Sequence, residues 1–176
     1  MTTATPTLNE VDLSTVAALA AQIQQRPEAA QSTWKAVVCW TGGFTSEAHV
    51  RHFKPIKSDE PSTLGGTDTA PNPVEQLLSA LGNCLAVGYA ANASAAAITI
   101  RSLRISIEGN IDLRTFLGLT QGNAGYDAIK VTVKLESDAS QDRLDALHRT
   151  VIGTSPVGHS LERAVPVKVE LWKPVH

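Results

Sequence analysis

A single cysteine set in an apolar helix is the group in this sequence best suited to chemistry. Cys84 lies within PNPVEQLLSALGNCLAVGYAANASAAA, residues 71–97, where no charged residue follows Glu75 until Arg101. A cysteine attacks as its thiolate and a free thiol titrates near about 8.5, so a reactive Cys84 needs a positive neighbour. In alkyl surroundings the same side chain serves as a small hydrophobe. Both readings stand on the residues alone. Cys39 falls in an extended stretch and reads as structural, with nothing to place it near Cys84. The histidines, His49, His52, His148, His159 and His176, form no His-Glu-x-x-His pattern, and no Cys-x-x-Cys accompanies them. No metal set and no cofactor site is therefore expected. Ser155 precedes Pro156 and fits the cap of a short helix, and His159, four residues on, could line the same pocket. A hydrolytic Ser155–His159 pair would also need an acid, an oxyanion hole and a nucleophile elbow, which the sequence does not offer. Gly42-Gly43 and Gly65-Gly66 lack the spacing of a phosphate loop.

The element that positions Cys84 has a clear start. Asn72 suits an N-cap, Pro73 the first helical position, and Glu75 the third, the pattern of a capping box. Leu77, Leu78, Ala80, Leu81, Leu85, Ala86, Val87, Tyr89 and Ala90 then fall all around the helix. A helix apolar on every side is expected to be buried on every side. At about 1.5 Å per residue it would run on the order of 35 Å, long for the interior of one small domain. A second copy of the chain is expected to share it.

With 176 residues, 43% hydrophobic and 18% charged, the chain can bury a sizeable core as one domain. A net charge of −2 leaves no basic excess for phosphates, so nucleic acid is a poor partner. The first Lys or Arg is Arg26, which argues against a secretory signal. Ser79, Asn83, Asn92 and Ser94 interrupt the apolar run, favouring a core helix over a membrane span. Two cysteines make no disulfide scaffold, and a reducing cytoplasm is the expected compartment.

Residues 1–32 read as an extension carrying a short amphipathic helix that ends before Pro27, and 33–176 as the main domain. Strands are expected over Thr33–Trp40, with Trp34, Ala36, Val38 and Trp40 on one face, and over Phe44–Phe53. Residues 54–72 read as loop. Extended chain follows from Ile98 to Ile107 with a slip near Ser102, then a Gly109-Asn110 turn and an irregular 111–125. Ile129–Leu135 alternates as a strand, Leu144–Val151 reads as a helix ended by Gly153, and Val165, Val167, Val169 and Leu171 read as a last strand. Strands arriving in pairs point to α+β with antiparallel sheet.

The run GGTDTAPNPVEQLLSALGNC, Gly65–Cys84, followed by TSPVGHSL, Thr154–Leu161, resembles the osmotically induced protein C and organic hydroperoxide resistance (OsmC/Ohr) superfamily. The resemblance covers roughly residues 33–173. It implies an intertwined homodimer in which curved antiparallel sheets enclose two long central helices. It also implies a thiol peroxidase whose cysteine on the central helix, here Cys84, attacks an organic or hydrogen peroxide. In such proteins an arginine held by a glutamate stabilises the thiolate, and a second cysteine before a proline in the late loop closes a disulfide with the sulfenic acid.

Two positions depart from that pattern. Ser155 stands where the second cysteine would be, which excludes a two-cysteine cycle there. The glutamate position after Asn-Pro is Val74, and Glu75 comes one later. Nine steps of about 100° put Glu75 opposite Cys84 around the helix axis, so capping competes with any catalytic role. Arg51, the only arginine between Arg26 and Arg101, is the candidate partner of the thiolate. The expected function is thus peroxide reduction by Cys84 in a one-cysteine cycle recycled by an external thiol reductant, with Glu75, Ser155 and His159 at the substrate. The alternative is an OsmC-like protein without peroxidase activity that binds or processes another small molecule.

Overall fold

The computed structural model describes residues 7–172. In chain order its main elements are α1 (Leu13–Gln25), β1 (Val37–Gly42), β2 (Thr45–His49), β3 (Ile56–Ser58), α2 (Pro73–Ala95), β4 (Ser102–Ile111), α3 (Leu113–Phe116), β5 (Tyr126–Glu136), α4 (Gln141–Gly153) and α5 (Pro156–Glu162). β1, β2 and β3 form an antiparallel meander, and β4 and β5 form a separate antiparallel pair. The architecture is α+β with antiparallel sheet, as the pairing of strands in the sequence implies.

The expected cap organises α2. Asn72 Oδ1 accepts the Glu75 N–H and Glu75 Oε2 accepts the Asn72 N–H, both at 2.9 Å. At the other end Arg143 of α4 donates to the Ala96 carbonyl at 2.5 Å, a cation where the helix leaves carbonyls unpaired. Between these ends Leu81, Leu85, Tyr89 and Ala93 recur every four residues as one buried stripe. They form the core with Ile98, Leu147 and Val151, against which Leu103, Ile105 and Ile107 of β4 and Ile129, Val131, Val133 and Leu135 of β5 pack. Two glycines inside α2 let its neighbours come close. A Cβ at Gly88 would lie 3.0 Å from Val151 Cγ1, and one at Gly82 would lie 3.0 Å from Ile107 Cδ1.

Several expectations are corrected. α2 is buried along one face only: Val87 is 70% exposed and Ala80 and Asn83 are open, because no element among the described residues covers that arc. β1 begins at Val37, not Thr33, so Trp34 lies before the strand; within one protomer Trp34 and Trp40 are exposed and no residue of β1, β2 or β3 is buried. Residues 54–72 contain β3, whose three residues are too few to show a period. Gly109-Asn110 is no turn; β4 continues to Ile111 through a register shift at this point, and the strand begins at Ser102 without a slip there. Residues 111–125 hold the single turn α3. Residues 164–172 form no strand among the described residues, and Val167, Val169 and Leu171 are 83–90% exposed. Their alternation is that of a strand, but no described strand pairs with it.

Candidate functional site

Cys84 lies midway along α2 at the border between the buried stripe and the open arc, and its side chain is half-buried. Beside it is the start of α5. Ser155 caps that helix, its Oγ accepting the Gly158 N–H at 3.1 Å, and Pro156 takes the first helical position. The same Oγ is 3.3 Å from Cys84 Sγ. Ser155 is 5% exposed, so the hydroxyl side of this contact is buried.

Ser155 also forms part of the wall of a cavity of about 870 Å³ between α2, β5, α4 and α5. Leu81, Leu85, Leu144 and Leu161 make much of its lining apolar, and Tyr89 and His148 bring a polar pair to it. Tyr89 is 2% exposed and its hydroxyl is hydrogen-bonded to His148 Nδ1. Burial pushes the Tyr89 phenol up from its usual value, so it keeps its proton at neutral pH. His148 falls at helical spacing with Leu144, Leu147 and Val151 on α4. Its meeting with Tyr89, 59 residues away, left no mark in the sequence.

The remaining candidates are dispersed. Glu75 is held in its own helix cap; burial, and after it the Glu75 charge, raises the Tyr126 phenol, whose O–H donates to the Val74 carbonyl at 3.0 Å. Arg51 sits in the turn after β2 with φ 50°, its guanidinium 4.7 Å over the Phe53 ring. It makes no hydrogen bond to Cys84 in this chain. His159 is half-buried on α5 but is not part of the cavity wall, to which Gly158, Leu161 and Glu162 of the same helix contribute. Cys39 is exposed on β1, opposite Glu47. Among the described residues no group of three or more His, Cys, Asp or Glu side chains could hold a metal ion, and no helix is long and apolar enough to cross a membrane.

The family model for OsmC-like proteins matches residues 66–170, from the loop before α2 to the segment after α5. The chain belongs to the OsmC-like family. Solved structures share its fold. An OsmC-like protein from Mycoplasma pneumoniae is 21% identical with a TM-score of 0.66, over 75% of this chain and 89% of that one. An organic hydroperoxide resistance protein OsmC from Legionella pneumophila is 14% identical with a TM-score of 0.55, over 74% and 91%. An organic hydroperoxide resistance protein from Elizabethkingia anophelis is 14% identical with a TM-score of 0.54, over 74% and 89%. At these identities the likeness is one of fold. None of the curated proteins matches the sequence. In all three structural comparisons about a quarter of this OsmC-like chain lies outside the match.

Proposed function

We propose that this OsmC-like protein is a thiol-dependent peroxidase that reduces organic or hydrogen peroxides through Cys84 in a one-cysteine cycle. The observation that carries the reading is a half-buried thiol on the central helix in contact with a buried hydroxyl group. The Cys84 thiolate attacks one peroxide oxygen; the S–O bond forms as the O–O bond breaks, and the alkoxide takes a proton from water and leaves as the alcohol. The resulting sulfenic acid condenses with one external thiol, losing water. A second external thiol then displaces Cys84 and leaves as a disulfide with the first. A reducing cytoplasm would supply both.

The active form we propose is a homodimer. The open arc of α2, the uncovered β1–β3 meander and the alternating 164–172 segment are the surfaces a second copy would cover. Arg51 is then the cation for the thiolate, brought by the partner protomer. Light scattering tests the dimer, a molecular mass near twice the chain's being the expected result.

The enzymatic reading is tested by adding an alkyl hydroperoxide to the reduced protein and trapping the product with dimedone. One adduct on Cys84, with consumption of peroxide abolished in Cys84→Ser and retained in Cys39→Ser, is expected. A second reading, a small-molecule binder without peroxidase activity, is favoured by the large cavity of mixed polar and apolar lining with its Tyr89–His148 pair. Absence of any adduct would decide for it.

A further inference from the structure

The hydroxyl of Ser155 has one proton to give and two lone pairs to receive. One lone pair takes the Gly158 N–H at 3.1 Å, which fixes the oxygen at the start of α5. Its neighbour Cys84 Sγ, at 3.3 Å, is a donor or an acceptor while protonated. Once ionised it can only accept, so the Ser155 proton must turn toward the sulfur. A hydrogen bond to an ion is about twice as strong as one between neutral groups, and it gains further from the burial of its donor, which is 5% exposed.

From this geometry we propose that Ser155 is the hydrogen-bond donor that holds Cys84 in its reactive anionic form, a task distinct from the disulfide-forming one that a cysteine at this position would perform. The proposal rests on the reading of Cys84 as the reacting thiol. The helix cap and the thiol contact share one oxygen atom, so α5 sets the direction of the donor.

The test measures alkylation of Cys84 by iodoacetamide in a Cys39→Ser background, independently of any peroxide. At pH 7, Ser155→Ala is expected to react about tenfold more slowly than the parent, whereas Ser155→Thr, which keeps the hydroxyl and the cap, stays within about twofold of it. At pH 10, where solution alone ionises the thiol, the three rates are expected to converge. Parental reactivity of Ser155→Ala at pH 7 overturns the proposal. So does an equal loss at pH 7 and pH 10, which would mean altered access, or failure of Ser155→Thr to restore the rate. A protein whose alkylation depends on Ser155 but which turns over no hydroperoxide keeps this assignment and loses the peroxidase reading.

Discussion

Ser155 Oγ and Cys84 Sγ are 71 residues apart in sequence and 3.3 Å apart in space. That separation is little more than an ångström above the roughly 2.05 Å of a sulfur–sulfur bond. Ser155→Cys is therefore expected to convert the chain to a two-cysteine peroxidase. One equivalent of hydroperoxide should remove both thiols with a mass loss of about 2 Da, and the dimedone adduct seen in the parent should disappear. Mass spectrometry under non-reducing conditions reads both.

Asp59 makes the loop before α2 sensitive to acid. The carboxylate is 1% exposed and accepts from the hydroxyls and backbone N–H groups of Thr67 and Thr69 and from the Glu60 N–H. These bonds, the Thr67 hydroxyl foremost, hold it well below the usual carboxylate range. Asp12, which caps α1 through Ser14 and Thr15, is likewise lowered to about 2, the Ser14 hydroxyl foremost. A carboxylate depressed in the folded state adds stability above its unfolded value near about 3.9, and that contribution is lost as the pH falls through the folded value. Urea midpoints should fall steadily from pH 5 toward pH 2. Asp59→Asn should flatten that fall while lowering the midpoint at pH 7.

Gly66 admits no side chain. A Cβ there would lie 1.8 Å from the Glu60 carbonyl oxygen and 2.4 Å from its carbon, and the Asp68 N–H holds that oxygen at 3.1 Å. Gly66→Ala must break this loop or displace it, at an expected loss of at least about 3 kcal/mol in urea unfolding. Gly153→Ala, with nothing within 4 Å of the added carbon, serves as the control.

Asn9 ties the extension to the end of α2. Its Nδ2 donates to Ser94 Oγ at 3.0 Å and to the Ile98 carbonyl at 2.9 Å, and its Oδ1 accepts the Ile100 N–H at 2.8 Å. The residue has φ 52°, a left-handed conformation that asparagine tolerates well. Asn9→Ala removes three bonds and strands two backbone groups, for an expected loss of about 2 kcal/mol. Hydrogen exchange at the Ile100 amide should accelerate at least tenfold, with exchange in the middle of α2 unchanged.

What the sequence made legible was local. Asn72, Pro73 and Glu75 announced the start of α2, and the alternation from Ile129 to Leu135 announced β5, because one helix end and one half-wet strand each carry their own pattern. The strand read into 165–171 failed for the complementary reason: alternation shows that a segment can pair, and pairing needs a neighbour that the segment does not encode. Gly109-Asn110 has turn composition, yet the backbone absorbs it as an irregularity inside β4. At the site, the family motif singled out Cys84 and Ser155, while only the fold reveals that one oxygen serves both the sulfur and the cap. His159 shows the limit of spacing as a guide, since Gly158, Leu161 and Glu162 of the same helix line the cavity and His159 does not.

All three tryptophans lie on the outside of the protomer, Trp34 at 79%, Trp40 at 75% and Trp172 at 81% exposure. Intrinsic fluorescence is thus a peripheral probe, with no indole in the core to register events around the sulfur. A blue shift in its emission on raising protein concentration would report the covering of those outer surfaces.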